Sequence, residues 1–199
     1  LAEESGASAN SHDENEYQWI IDPIDGTTNF IHGFPQYCIS IALAHRGVVT
    51  QAVIYDPVRN DLFTATKGAG AYLNEKRIRV TKLDRISNAL LGTGYVAGSA
   101  RALDEYLKMY AIMGERSQGV RRAGSAALDL AYVACGRLDG FYEKGLKPWD
   151  IAAGALMITE SGGIVGEFSG ESDYLYKGDV IAASPKIFGQ MITLLTPFA

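Results

Sequence analysis

The chain has 199 residues, 47% apolar and 21% charged, the proportions of an ordinary folded domain, which excludes disordered, collagen-like and coiled-coil architectures. A net charge of −5 argues against a nucleic-acid surface as the main function, and apolar runs such as Ile151–Ile158 fall far short of the ~18 residues of a membrane span. Two cysteines (Cys38, Cys135) and three histidines (His12, His32, His45) support neither a disulfide framework nor a zinc site, and they suit a reducing, cytoplasmic compartment. Leu1 stands where a methionine would, with no basic-then-apolar leader after it. The expectation is a sequence that begins inside a longer protein.

In chain order, the polar Ser/Asn-rich stretch 5–16 reads as a mobile loop. Trp19-Ile20-Ile21 reads as a short buried strand ended by Asp22-Pro23. A β-meander is predicted from Tyr37 to Val80, its segments CISIALAH, VVTQAVIYDP, DLFTATK and AYLN punctuated at Arg46-Gly47, Pro57–Asn60 and Gly68–Gly70. Leu103, Leu107, Tyr110 and Ile112-Met113 place a helix over 101–114. A second helix is predicted over 125–135, with Ser125 as N-cap and Gly136 beyond its end. GFYE at 140–143 is a predicted strand, 150–161 a helix stopped by Gly162-Gly163, IVGEF and VIAAS two more strands, and Pro185 opens a last helix to Leu195. The expected fold is α/β (α+β), one domain over 1–199 with closely packed lobes of about 1–84 and 85–199.

Acidic residues meet tight turns at four places: Glu3-Glu4, Asp22-Pro23-Ile24-Asp25-Gly26-Thr27, Glu143 and Trp149-Asp150. Asp22 and Asp25 lie three apart across a turn, so both carboxylates can reach one centre. Gly26 admits a close backbone approach, and Thr27 opens a short helix whose free N–H groups face that centre. Carboxylates beside an exposed helix N-terminus are satisfied together by a hard cation and an anion, as in a Mg²⁺–phosphate pair. Each feature alone has an ordinary explanation: Asp25 as a helix cap, Asp22 as a strand end, Glu3-Glu4 as solvated surface, Asp150 as an N-cap. Three helix openings and four acidic positions beside Gly or Pro in one chain favour a site.

WIIDPIDGTTNFIHGFP (19–35) together with PWDIAAGALMITESGG (148–163) resembles the inositol monophosphatase family of Mg²⁺-dependent, Li⁺-sensitive phosphatases. AEES (2–5) is similar to that family's Gly-Glu-Glu-Ser element, and RRAGSAALDLAYVACGRLDGFYEKGLKPWD (121–150) to its bacterial SuhB-type inositol-1-monophosphatase branch. The resemblance covers essentially the whole chain. It implies a layered α-β-α-β-α sandwich of the sugar-phosphatase type and hydrolysis of myo-inositol monophosphate by in-line attack of a metal-activated water. It further implies one Mg²⁺ on Glu3, Asp22 and the Ile24 carbonyl, a second on Asp22, Asp25 and Asp150, and a third, weaker one near Glu3. Thr27, with Glu3, would hold the attacking water, and Asp25 would complete the catalytic group. Gly26 and Thr27 N–H groups would hold phosphate oxygens, while Glu143 and the Gly124-Ser125-Ala126 backbone would receive inositol hydroxyls. A homodimer and a protein partner in transcription antitermination are also implied, with no direct nucleic-acid contact and no membrane.

Ala2 stands where the family often has Gly, and Ser125 where many members have Thr; the hydroxyl and the cap survive. The family's helical pair before the Glu-Glu element has no counterpart here, so Glu3 is expected on a poorly anchored segment. Four carboxylates and a phosphate dianion leave a charge of about −2 with two Mg²⁺ and none with three, which fits a reaction whose required rate enhancement reaches ~10²¹. Histidinol phosphate, fructose bisphosphate, nucleotide 3′-phosphates and NADP stay open as substrates, because related families share the metal motifs. No Gly-x-Ser-x-Gly elbow or P-loop offers a covalent route. The Gly-x-Gly at 68–70 is a turn within the meander, and Arg121-Arg122 could meet a second phosphate or a partner chain.

Overall fold

The computed structural model describes residues 1–4, 17–95 and 100–199. Residues 5–16, on which the loop expectation falls, lie outside the described residues.

Strands β1 (Tyr17–Asp25), β2 (Cys38–His45), β3 (Val48–Asp56), β4 (Asp61–Thr66), β5 (Gly70–Leu73) and β6 (Lys76–Arg77) form an antiparallel sheet in sequence order. It is the predicted meander, with β1 added at its edge. β1 differs from the expected short buried strand in two ways. Period-two alternation turns Ile20 inward and leaves Trp19 56% exposed. The strand also continues through Asp22-Pro23 to Asp25, because its pairing shifts between Asp22↔Ser40 and Asp25↔Cys38. An irregularity on an edge strand absorbs a proline that cannot donate to a ladder.

The second sheet has the order β10-β11-β9-β7-β8, built from β7 (Leu90–Thr93), β8 (Gly119–Arg121), β9 (Gly140–Glu143), β10 (Ile164–Gly166) and β11 (Val180–Ala183). β7 runs parallel to β8 and β9, and the other pairs are antiparallel. β7 and β8 are absent from the sequence reading.

The described residues also form the α-helices α1 (Thr27–Ile31), α2 (Ala100–Arg116), α3 (Ala126–Cys135), α4 (Pro148–Glu160), α5 (Tyr174–Lys177) and α6 (Pro185–Leu195). α3 and α4 pack on each other and between the two sheets. Eight residues of each are buried, from Ala126 to Ala134 and from Ile151 to Ile158, which explains their apolar composition on nearly every side. α2 and α6 cover the far face of the second sheet through Met109, Met113, Ile187 and Met191. The layers therefore run sheet, helices, sheet, helices.

This arrangement brings three connections to one place. The β1–α1 turn, the β8–α3 loop and the β9–α4 loop each end in a helix N-terminus.

Candidate active site

Asp22, Asp25 and Asp150 offer carboxylate oxygens that lie within 4.8 Å of one another. Each carboxylate is held by one oxygen. Asp22 Oδ1 accepts from the Ile24 N–H at 2.9 Å. Asp25 Oδ2 accepts from the Ser125 hydroxyl at 2.6 Å and the Ala127 N–H at 2.8 Å, with the Cys38 thiol at 3.9 Å. Asp150 Oδ2 accepts from the Lys147 N–H at 2.7 Å. The second oxygen of each group has no hydrogen-bond partner among the described residues. Three hard oxygen donors converge while remaining unspent.

Asp150 reaches this position differently from the sequence expectation. Lys147 is the N-cap of α4 and Pro148 its first residue, so Asp150 sits in the first turn and bonds back to the cap N–H.

Burial and mutual repulsion raise the proton affinity of the whole group. Burial, then the charges of Asp25 and Glu3, push Asp22 up to about 8 against the N–H of Ile24. Burial also lifts Asp25, opposed by Ser125 and Ala127. Asp150 is pushed up to about 7 by burial, with Asp25 and Glu3 adding to it. A cation among these oxygens relieves the repulsion, so the residues present fit a hard divalent metal such as those carboxylates ordinarily bind.

Glu3 does not join the three-carboxylate cluster, yet its charge is felt at Asp22, Asp25 and Asp150. Its segment is better anchored than the sequence suggests. Ala2 bridges Ile21 in parallel, the Glu3 N–H donates to the Ile21 carbonyl at 3.3 Å, and the Ile21 N–H donates to the Leu1 carbonyl at 3.0 Å. Backbone pairing with the free edge of β1 replaces the missing apolar anchors.

A cavity of about 330 Å³ adjoins the cluster. Asp25 and Asp150, the first turn of α1 (Thr27, Thr28, Asn29), the Gly124-Ser125-Ala126 opening of α3, and Glu143 at the end of β9 all line it. First-turn N–H groups lack intrahelical acceptors and favour an anion. Gly26 makes the turn possible: its φ is +92°, and a Cβ there would lie 2.9 Å from the Gln36 carbonyl and 3.2 Å from that of Gly124. The Thr27 hydroxyl donates to the Ile24 carbonyl at 3.1 Å.

The sequence reading did not single out Asn29. Its amide donates to Gln36 and Ala123 carbonyls at 2.7 and 2.9 Å and ties α1 to the loop before α3. The sequence reading places both cysteines outside the acidic cluster, whereas the Cys38 thiol lies 3.9 Å from Asp25 Oδ2; it leaves Asp129, inside an apolar helix, unassigned.

An acidic triad that could hold a metal, a cavity beside it and helix N-termini on an alternating sheet–helix stack are the marks of the inositol monophosphatase family, and the chain belongs to that family, whose profile matches residues 1–196. The putative Nus factor SuhB of Neisseria meningitidis serogroup B is 50% identical over 194 residues, covering 98% of this chain and 74% of that protein. Among solved structures, the extragenic suppressor protein suhB from Bartonella henselae matches with a TM-score of 0.90 at 40% identity, over 98% of this chain and 78% of that one. The inositol monophosphatase from Anabaena matches with a TM-score of 0.89 at 40% identity, over 99% of this chain and 77% of that one. Family and fold support phosphatase activity. Among the described residues no helix is long and apolar enough to cross a membrane.

Proposed function

We propose that the chain is a Mg²⁺-dependent phosphomonoesterase acting on myo-inositol monophosphate, carried above all by the convergence of Asp22, Asp25 and Asp150 beside the α1 N-terminus. Asp22, Asp25 and Asp150 would hold one ion, and Asp22, Glu3 and the Ile24 carbonyl another, with Asp22 shared and a third ion near Glu3. All-oxygen donors of this charge suit Mg²⁺ and disfavour soft metals. Bound divalent ions supply charge neutralisation and a lowered pKa for water.

The protein's own groups supply binding and orientation. The Gly26 and Thr27 N–H groups bind phosphate oxygens. Because the Thr27 hydroxyl gives its proton to the Ile24 carbonyl, its lone pairs remain free to accept from a water aligned with phosphorus, and Glu3 orients the same water. That water adds to phosphorus as the ester oxygen departs opposite, and the water's protons end on the alcohol and on phosphate. Glu143 and the Gly124–Ala126 backbone receive the hydroxyls of the leaving inositol.

Phosphate release from myo-inositol 1-phosphate, histidinol phosphate, fructose 1,6-bisphosphate and a nucleotide 3′-phosphate tests the substrate. The highest kcat/KM is expected on the inositol ester, with inhibition by Li⁺ at tens of millimolar. A preference for another ester moves the chain to a neighbouring branch.

A second reading rests on the relatives named Nus factor SuhB, at 44–50% identity: a cytoplasmic, homodimeric protein that also binds a transcription-complex partner. Asp25→Asn is expected to abolish turnover and to spare partner binding.

A further inference from the structure

Two acidic side chains in the cavity do not belong to the carboxylate cluster. Asp129, in the first turns of α3, is 2% exposed, and Glu143, at the end of β9, is 6% exposed. Both line the cavity. Among the described residues no donor reaches either carboxyl, although buried carboxyls are ordinarily hydrogen-bonded and an unsatisfied one costs more than the bond it lacks.

The backbone leaves room for Glu143: a Cβ on Gly94 would collide with Glu143 Oε2. The charge of Glu143 raises the proton affinity of Asp129, burial being the larger cause. Glu143 itself is pushed up to about 8, chiefly by burial, with Arg122 opposing.

Unspent acceptors that deep in a cavity await donors from a ligand. A ligand whose phosphate lies against Asp25, Asp150 and the α1 N-terminus turns its remaining atoms toward the rest of the lining, where Asp129 and Glu143 stand. An ammonium group would satisfy them as well; the proposed inositol ester offers hydroxyl donors, and histidinol phosphate, which carries an ammonium, is the contrary outcome of the test.

We infer that Asp129 is a specificity-determining residue that works beside Glu143, the two carboxyls receiving neighbouring hydroxyls of a polyol ring. This deepens the phosphatase reading and rests on it for the placement of the phosphate. It predicts discrimination by hydroxyl count, over and above whatever the metals contribute to every phosphate ester alike.

The test compares myo-inositol 1-phosphate with cyclohexyl phosphate, the same ring without hydroxyls, in wild type, Asp129→Leu and Asp129→Asn. Asp129→Leu is expected to lower the inositol-to-cyclohexyl ratio of kcat/KM by about tenfold or more, mainly through KM, the scale of a hydrogen bond to a charged or buried group. Cyclohexyl phosphate turnover should stay within about twofold, because only the hydroxyl contact is removed. Should the leucine variant fail to fold, Asp129→Asn, of nearly equal volume, must still lower the ratio at least about threefold. Parallel loss on both esters, or an unchanged ratio, overturns the inference, as does a wild type that prefers histidinol phosphate to the inositol ester.

Binding of free myo-inositol by saturation-transfer NMR separates this inference from the phosphatase reading. If the wild type releases no phosphate from any ester, the phosphatase reading fails. An inositol signal lost in the Asp129 variants would still support the polyol site, and no signal in the wild type would overturn it.

Discussion

Ser125 shows how one hydroxyl can govern a proposed metal ligand from behind it. It caps α3, accepting from the Leu128 N–H, and donates to Asp25 Oδ2 at 2.6 Å. That bond favours the ionised carboxylate, the form a cation needs. Ser125→Ala is expected to keep the fold and raise the Mg²⁺ concentration for half-maximal turnover by roughly tenfold, the usual scale for a residue behind a ligand. A Mg²⁺ titration of phosphate release checks it, and Ser125→Thr should restore the wild-type curve. From sequence, Ser125 reads as an N-cap and, by family resemblance, as part of the substrate loop. The bond to Asp25 spans a hundred positions and no local pattern encodes it. Asp22 and Asp25 were legible because Pro23 and Gly26 beside them mark a turn, and Asp150 because Pro148, two residues before it, opens a helix. Asp129 carries no such punctuation and lies inside an apolar helix, where sequence suggests only core.

At the scale of elements, the site depends on helix openings delivered by turns. Gly26 is the most constrained of these, with a left-handed φ and carbonyls of Gln36 and Gly124 against the position of its absent Cβ. Gly26→Ala is expected to cost about 1–3 kcal/mol of stability from backbone strain and the displaced carbonyls. It should also lower turnover more than the stability loss alone requires, since the α1 N–H groups shift with the turn. Chemical denaturation run beside phosphate release separates the two effects. The meander strands were legible through alternation and turn residues, and α3 through its Ser cap and trailing glycine. β1 was read too short because Asp-Pro ends a strand in the ladder interior, whereas on this sheet edge the pairing shifts and continues. β7 and β8 are held by their pairing with each other and by the helix covering them, contacts that the local sequence does not show.

For the whole molecule, the carboxylates make stability depend on pH and on metal together. Asp22 and Glu143 are pushed up to about 8 and Asp150 to about 7, against ordinary values of 3.8 to 4.5. A folded chain that holds these protons more tightly than the unfolded chain gains stability fully present below about pH 4 and lost as pH rises through 7 to 8. The metal-free protein should therefore unfold at a lower temperature at pH 8.5 than at pH 5.5. On the proposed function Mg²⁺ would bind only the folded, deprotonated site, so it should raise the midpoint at pH 8.5 and do little at pH 5.5. Thermal unfolding in chelator and in millimolar Mg²⁺ across that range reads both effects. A midpoint that rises with pH in chelator would mean that the buried carboxylates are paired by cations elsewhere in the chain.

All three scales meet in Asp22, the carboxylate assigned to both strongly held ions. The most direct measurement is phosphate release from myo-inositol 1-phosphate as a function of Mg²⁺, for the wild type and for Asp22→Asn. The wild type should be inactive in chelator and rise saturably with Mg²⁺, while Asp22→Asn stays folded and loses at least about a thousandfold in kcat/KM, roughly 4 kcal/mol of transition-state stabilisation. Turnover in chelator, or an Asp22→Asn curve that overlays the wild type, would contradict the assignment of this site.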